Sequence, residues 1–398
     1  MTLVKLCSAY LRLRFGTAVL NVTLVALGVL IVAVVLLVGS QLRERIERQI
    51  RGIDLVVGAK GSPLQLILSV VFQIDVPSGN VNFDDVAFLR THPLVASAVP
   101  VALGDSAFGF RLLGSEPSFL NERGISIGEG RVWEEPMEAV LGAEVARTTG
   151  LRLGSQFLGS HGLTGGITHG DHPYTVVGIA RPTGTVVDRL ILTSLESVWR
   201  VHTPRGSLAT PPEGDGRSRE ITALLVRYRT PLAVIQLPRL VNAKPMLIGA
   251  APAFEAARLL SLVGFGLDAL RVFGWVLLVT AAGSVLVALT NALSDRRADL
   301  ALMRVLGATR GLLIRLLLLE AVVLAGAGSI VGLSLAHLSL ELFGRFVPEA
   351  QAAGLSGLAL AQGELWLVPG TLLLAVFAAA TPAVRAYRAD LVGTLVRG

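Results

Sequence analysis

Long apolar runs without charge alternate with polar stretches along the chain. A helix needs about 20 consecutive apolar residues to cross a hydrocarbon core of roughly 30 Å. Four runs meet this requirement and predict spanning helices over residues 16–39, 271–293, 312–338 and 365–383. The first run has a basic front, as a signal peptide does, but its apolar centre is too long and a charged helical pattern stands where a cleavage motif would be. We therefore predict an uncleaved, multi-pass membrane protein.

The pattern changes between the first and second spans, over residues 40–270. β-Branched segments bounded by glycine or proline, such as 174–179 and 221–228, predict short strands. Segments 83–91 and 195–201 predict helices, so this region is expected to form an α+β domain. Apolar residues recur at three- and four-residue spacing directly after the first span and directly before the second. These two stretches predict stalk helices that carry the domain, although they could also be ordinary surface helices.

Lysine and arginine residues are concentrated beside particular spans and predict the topology. They cluster in the tails 1–15 and 384–398 and in the segment 294–311. Because cytoplasmic segments carry the positive excess, all three are predicted to be cytoplasmic. The chain is thus predicted to lie in the cytoplasmic (inner) membrane, with both termini in the cytoplasm. The domain 40–270 and the loop 339–364 are predicted to be extracytoplasmic.

Composition adds two restrictions. The net charge is +6, but aromatic residues make up only 6% of the chain and no basic stripe with interleaved aromatic residues is present. The charge is therefore explained by topology, and a nucleic-acid partner is not expected. The single cysteine, Cys7, excludes an intrachain disulfide. No catalytic set of side chains stands in a recognisable frame, so we do not expect an enzyme.

The cytoplasmic segment 294–311 has an amphipathic pattern. Its apolar and charged residues separate onto different faces of a predicted helix, and Gly307 is placed to end it. A short exposed helix fixed between two spans suits docking into a groove of another protein. From periodicity alone, a plain charged loop is an equally open interpretation.

This segment also carries a family signature. The pattern from Arg296 to Ala308, followed by Glu320-Ala321, resembles that of FtsX-like and MacB-like permeases, the membrane subunits of type VII ABC transporters. The ending, from Pro382 to Leu395, is similar to the ending of the same family. The layout agrees as well, with one span, a large external domain and then three spans. The residues that the resemblance assigns to ATPase coupling are Arg296, Arg297, Asp299, Leu302, Arg304, Leu306 and Gly307.

The resemblance implies a MacB-like periplasmic core domain on a helical stalk and a permease that acts by mechanotransmission. In this mechanism a homodimer sits on a separate cytoplasmic ABC ATPase, and ATP-driven movement reaches the external domain through the stalk. The chain has no G-x-x-x-x-G-K-[ST] motif, so ATP and magnesium are expected in the partner. A periplasmic adaptor or binding protein is a further expected partner. The alternative function is a non-transporting regulator that activates an extracytoplasmic enzyme or sensor.

Three further groups of residues are candidates for specific roles. Gly328 and Gly332 form a G-x-x-x-G pattern in the third span, which permits close helix contact within a bundle or a dimer. Glu320 lies in the same span and is expected to face the bundle interior, with proton transport as the alternative. The last group is a glycine-rich stretch that predicts either a divalent-metal site or a solvated loop. Its candidate ligands are His161, His169, Asp171 and His172.

The apolar segment 64–72 follows the first predicted stalk helix. It could line a groove for a lipidic or peptide substrate, or it could be buried by packing, which we expect. The sequence does not identify the substrate.

Overall fold

The computed structural model describes residues 3–161, 172–202, 219–295, 309–347, 350 and 354–388. Contacts divide the chain into two compact units. We call residues 45–260 the sheet unit, and we call residues 1–44 together with 261–398 the helical unit.

The bounds of the helices and strands follow, for the described residues only. The helices are α1 (Leu3–Leu13), α2 (Phe15–Ile50), α3 (Pro63–Val70), α4 (Phe83–Ala87), α5 (Ser118–Glu122), α6 (Ala143–Thr149), α7 (Leu195–His202), α8 (Ala233–Asn242), α9 (Pro252–Asp295), α10 (Arg310–Phe346) and α11 (Glu364–Arg388). The strands are β1 (Leu55–Ala59), β2 (Val81–Asn82), β3 (Val95–Ala107), β4 (Phe110–Ser115), β5 (Ile127–Gly130), β6 (Glu138–Leu141), β7 (Gln156–Phe157), β8 (Ser160–His161), β9 (Tyr174–Ala180), β10 (Leu190–Ser194), β11 (Glu220–Ile221), β12 (Ala223–Tyr228) and β13 (Leu247–Ala250).

Within the described ranges, four helices are long and apolar enough to cross a membrane: α2, α9, α10 and α11. Each contains one of the four predicted spans. Both predicted stalk segments belong to the same continuous helix as the neighbouring span, because α2 runs on to Ile50 and α9 begins at Pro252. Two details differ from the sequence boundaries. The N-terminal tail forms the amphipathic helix α1, and α10 extends beyond residue 338 to Phe346.

The sheet unit is built on one mixed sheet with the strand order β13-β1-β12-β3-β4-β10-β6-β9-β5. Short β7 pairs with β9 and β8 pairs with β3, while β2 and β11 form a separate pair. Strands β4 and β10 are parallel, as are β6 and β9. The remaining pairs along the sheet are antiparallel. The pattern of short β-branched segments is thus explained by strands of one large sheet.

Apolar side chains cover both faces of this sheet. In β1, Val56 packs into one core cluster, whereas Leu55 and Val57 pack into another. Strands buried on both faces read as continuous apolar runs, which is the pattern of this segment. The apolar segment 64–72 forms α3, and its Leu66 and Ile67 are buried in the first cluster. Burial, rather than an open groove, therefore explains much of its apolar character.

The sheet and the four spanning helices confirm the predicted fold class: a helical membrane protein with a large α+β domain. One helix is shorter than its pattern suggested. Residues 83–91 were expected to be helical, but α4 ends at Ala87 and the backbone turns before β3 begins at Val95.

Candidate functional site

Two neighbouring strands join the sheet unit to the long helices. β1 begins at Leu55, after only residues 51–54 that follow α2, and β13 ends at Ala250, immediately before α9 begins at Pro252. The two strands are antiparallel and hydrogen-bonded, with Val56 opposite Ala250 and Ala59 opposite Leu247. The ends of α2 and α9 that belong to the sheet unit are consequently tied to adjacent strands of one sheet.

Side chains hold the end of α2 inside the sheet unit. The buried Gln49 side chain donates from Nε2 to the Val71 carbonyl over 2.7 Å and accepts at Oε1 from the Val186 backbone N–H over 3.0 Å. Ile50 packs against the main core cluster, and Ile53 belongs to it. The end of this helix is therefore anchored by polar and apolar contacts on several sides.

Arg123 completes this anchor. Its guanidinium donates to the carbonyl oxygens of Gln49 and Arg51, each over 2.7 Å. The last carbonyls of a helix have no partner within the helix and carry its partial negative charge, so a cation there satisfies both needs. Burial lowers the pKa of the Arg123 guanidinium to about 10, so it remains charged near neutral pH. We call Gln49, Arg123 and the backbone that they contact the joint.

Glycines determine how closely the long helices approach one another within the helical unit. A Cβ atom added at Gly328 of α10 would lie 2.6 Å from Val25 Cβ of α2, and one at Gly332 would lie 2.9 Å from Val29 Cβ. Contacts this short do not occur between real Cβ atoms. The G-x-x-x-G face of α10 is therefore in contact with α2 of the same chain.

A second close contact joins α2 and α9. A Cβ atom at Gly28 would lie 2.8 Å from Leu278 Cγ, and one at Gly274 would lie 2.6 Å from Val32 Cγ2. This pair was not predicted from the sequence, because each glycine is isolated and neither stands in a G-x-x-x-G pattern. The hydrophobic effect does not drive helices together in lipid. Close packing at small residues supplies part of the attraction between the helices instead.

Glu320 lies on α10 and is buried in the helical unit. It lines a small cavity together with Arg14, which lies between α1 and α2, Asn21 of α2 and Leu289 of α9. The Asn21 side chain donates to the Thr17 carbonyl over 2.8 Å, and its Oδ1 atom has no hydrogen-bond partner among the described residues. Glu320 thus faces polar side chains within the bundle.

Most of the other predicted site residues lie outside the described residues. All seven predicted coupling residues, Arg296, Arg297, Asp299, Leu302, Arg304, Leu306 and Gly307, lie outside the described residues. His169 and Asp171 also lie outside them, and for His161 only the backbone in β8 is described. His172 is exposed just before β9. Within the described part of the chain, no group of three or more histidine, cysteine or acidic residues could hold a metal ion. The metal site stays a prediction.

Comparison with known proteins assigns almost the whole chain. The family model of the MacB-like periplasmic core domain matches residues 18–275, and that of the FtsX-like permease C-terminal domain matches residues 271–391. The chain belongs to the MacB/FtsX-like permease family. It is therefore a membrane subunit of the ABC transporter type, located in the inner membrane as a multi-pass protein. No curated protein sequence matches it.

Two solved structures are similar to parts of this permease. One is the periplasmic region of MacB from Actinobacillus actinomycetemcomitans, which matches 54% of this chain and 97% of its own length at 12% identity, with a TM-score of 0.35. The other is the extracellular domain of YknZ, described as a noncanonic ABC-type transporter from Gram-positive bacteria. It matches 50% of this chain and 98% of its own length at 11% identity, with a TM-score of 0.31.

The glycine contacts of the permease generate a stability prediction. Gly332→Ala is expected to lower the free energy of unfolding by about 1–3 kcal/mol, because the added methyl group must push α10 away from α2. The measurement is the midpoint of thermal unfolding of the purified full chain in detergent.

The matched control is Gly370→Ala on α11, where an added Cβ atom would meet no described atom within 4 Å. This variant should unfold at the wild-type temperature or slightly above it. Equal midpoints for the two variants would contradict the proposed importance of the α2–α10 contact.

Proposed function

We propose that this permease transmits mechanical movement to its sheet unit when a separate cytoplasmic ATPase binds and hydrolyses ATP. The movement would serve export or extraction of a substrate at the outer face of the cytoplasmic membrane. The ATP and magnesium belong to the partner in this proposal, and residues 294–311 form the segment that docks with it. A periplasmic adaptor or binding protein is a further proposed partner.

The observation that carries this proposal is the connection of α2 and α9 to adjacent strands. A force applied along a continuous helix reaches a folded domain only if the end of that helix is fixed there. Gln49 and Arg123 fix the end of α2, while β13 runs directly into α9. Because β1 and β13 share a register of backbone hydrogen bonds, displacement of either helix end would act on the same edge of the sheet.

We also propose that the permease acts as a homodimer, with α9 as the contact. Many residues of α9 are exposed, and one set among them recurs at alternating spacings of three and four, which is the heptad pattern of a coiled-coil seam. They extend over about 32 Å of helix, taking 1.5 Å per residue. The stripe consists of Leu262, Phe265, Ala269, Val272, Val276, Val279 and Gly283.

The exposure of this stripe favours a second copy of the chain over lipid alone. Leu262 and Phe265 are 67% and 81% exposed and lie before the predicted span 271–293, where lipid tails would not cover them. Two copies of the same stripe are self-complementary, as a two-fold interface requires. Exposed apolar residues elsewhere, such as Leu365 and Phe377 of α11, support contact with membrane lipid.

Partner capture tests the ATPase assignment. The tagged full chain, purified from gently solubilised membranes, is expected to bring down a stoichiometric ABC ATPase, identified by mass spectrometry. Replacing Leu302 and Leu306 by glutamate should abolish its recovery, because charged side chains would disrupt an apolar docking face. A matched control places glutamate at exposed Leu153 of the sheet unit.

Recovery of no ATPase under several mild detergents would overturn the permease mechanism. A co-purifying external partner would separate the two functional classes. An adaptor or substrate-binding protein indicates transport, whereas a cell-wall hydrolase or a sensor kinase indicates the alternative regulatory function.

The joint generates a second prediction, measured by hydrogen exchange on the captured complex. Adding ATP should change amide exchange in the sheet unit of the wild type. In Arg123→Met this change should be reduced, because the guanidinium no longer holds the last carbonyls of α2, although Gln49 still contacts the sheet unit. ATP should still alter exchange in segment 294–311. The control is Arg227→Met. The Arg227 guanidinium is exposed and lies 3.5 Å from the Glu122 carboxylate, so its removal does not affect the end of α2. An ATP response of the sheet unit that is unchanged in Arg123→Met would rule out Arg123 as part of the route.

Cross-linking tests the dimer. In a Cys7→Ser background, Phe265→Cys is expected to form a covalent dimer rapidly when membranes are oxidised, because the two stripe positions would face each other. Leu270→Cys is the matched control, since Leu270 is also exposed but lies on a different face of α9. Similar cross-linking at both positions, or none at Phe265→Cys, would contradict the proposed contact.

A further inference from the structure

The loop 354–363, between α10 and α11, is held by polar side chains of the helical unit. Gln41 of α2 makes two hydrogen bonds with the Ser356 backbone: Nε2 donates to the carbonyl and Oε1 accepts from the N–H, each over 2.9 Å. Glu341 of α10 accepts from the Ser356 hydroxyl over 3.1 Å and from the Gly357 N–H over 3.0 Å. The loop backbone is therefore fixed against two helices.

Gly357 allows this loop to lie directly on α10. A Cβ atom at this position would overlap the His337 carbonyl oxygen and would lie 2.8 Å from the Glu341 backbone nitrogen. The close approach brings the Gly357 carbonyl oxygen to 2.5 Å from His337 Nδ1. A carbonyl oxygen can only accept, so Nδ1 must carry the proton of this hydrogen bond.

The other nitrogen of the same imidazole faces a carboxylate. His337 Nε2 lies 3.2 Å from Glu364 Oε2 at the start of α11. Glu364 is only 5% exposed, and its Oε1 atom has no hydrogen-bond partner among the described residues. A neutral imidazole has a single N–H, which Nδ1 already uses. The contact between Nε2 and Oε2 therefore requires one additional proton, on either the imidazole or the carboxyl group.

We propose that His337 and Glu364 form a proton-binding site that latches the loop 354–363 to α10. With the proton present, one imidazole holds both the Gly357 carbonyl and the Glu364 carboxyl group. Without it, the single N–H of the ring can serve only one of them, and a buried carboxylate that loses its partner is strongly unfavourable. The ring would then carry its one N–H on Nε2, facing the carboxylate, and the hydrogen bond from Nδ1 to the Gly357 carbonyl would be lost.

Glu341 also lies beside this pair, because it accepts from the N–H of the same Gly357 over 3.0 Å. On α10 the nearest described ion pair is Glu341 with Arg345, joined over 2.8 Å. The α2 side chain that contacts the loop, Gln41, is neutral. Residues 354–363 contain no titratable side chain, and Glu364 is the acidic residue of the first turn of α11. The proton of the pair is thus the variable that is expected to control this contact.

Release of the latch would change what the permease presents at this loop. Leu358 and Leu360 are 80% and 83% exposed, and both lie in the segment that His337 and Glu341 hold. The site makes the position of two apolar side chains dependent on the proton concentration. This inference does not rest on the ATPase-driven mechanism proposed above.

Hydrogen exchange of the purified full chain in lipid nanodiscs tests the proposal. After correction for the intrinsic pH dependence of exchange, protection of residues 354–363 should fall by roughly tenfold as the pH is raised from acidic to alkaline. Glu364→Gln should remove this pH dependence and retain the protection, because the amide N–H donates to a neutral Nε2 without an additional proton. Glu341→Gln should lower protection and retain the pH dependence.

A second measurement on the wild type alone keeps the test independent of variant folding. In chain labelled with ¹⁵N-histidine, the His337 signal, assigned from its loss in His337→Asn, should change its N–H coupling over the same pH range. Loop protection in the wild type that does not vary with pH would overturn the proposal. A pH dependence that is identical in the wild type and Glu364→Gln would overturn it as well.

Discussion

The hydrogen bonds between β1 and β13 tie together two helices that are far apart along the chain. Strand β1 follows α2 after residues 51–54, and β13 leads directly into α9. Neither helix end can move within the sheet unit without disturbing this strand pair or breaking the joint around Arg123. The ends of α2 and α9 are therefore linked to each other within the sheet unit. The proposed mechanism depends on this constraint, because independent helix ends would dissipate any movement in flexible connections.

Glycine contacts play a corresponding role in the helical unit. Gly328 and Gly332 fit α10 against α2, while Gly28 and Gly274 fit α2 against α9. In both cases the helices approach to a distance that only a missing side chain allows. Since lipid tails are as apolar as leucine, such packing and buried polar contacts must supply the attraction between helices. α2 is consequently the common neighbour of α9 and α10 in this unit.

Much of the fold could be predicted from sequence, because apolar run length and β-branched segments report directly on span and strand. Gly328 and Gly332 could also be identified from sequence, because they form a G-x-x-x-G pattern within a few residues of the chain. The joint could not be predicted in this way. Arg123 and Gln49 are 74 residues apart, and nothing near either residue indicates that a half-buried guanidinium meets the end of a helix. The pair His337 and Glu364 could not be predicted from sequence either, because neither residue stands in a motif. The proposed proton site follows only from the positions of the two His337 nitrogens against the Gly357 carbonyl oxygen and Glu364 Oε2.

The stripe on α9 has a mechanical consequence. Its repeat averages 3.5 residues per turn, whereas a straight α-helix has 3.6, so two copies can keep their stripes in contact only by winding around each other with a left-handed twist. When one helix of such a supercoiled pair moves along the other, it must also rotate. A displacement of the paired α9 helices along the membrane normal would therefore be converted partly into rotation. The sheet units of a dimer would then turn relative to each other as well as separate.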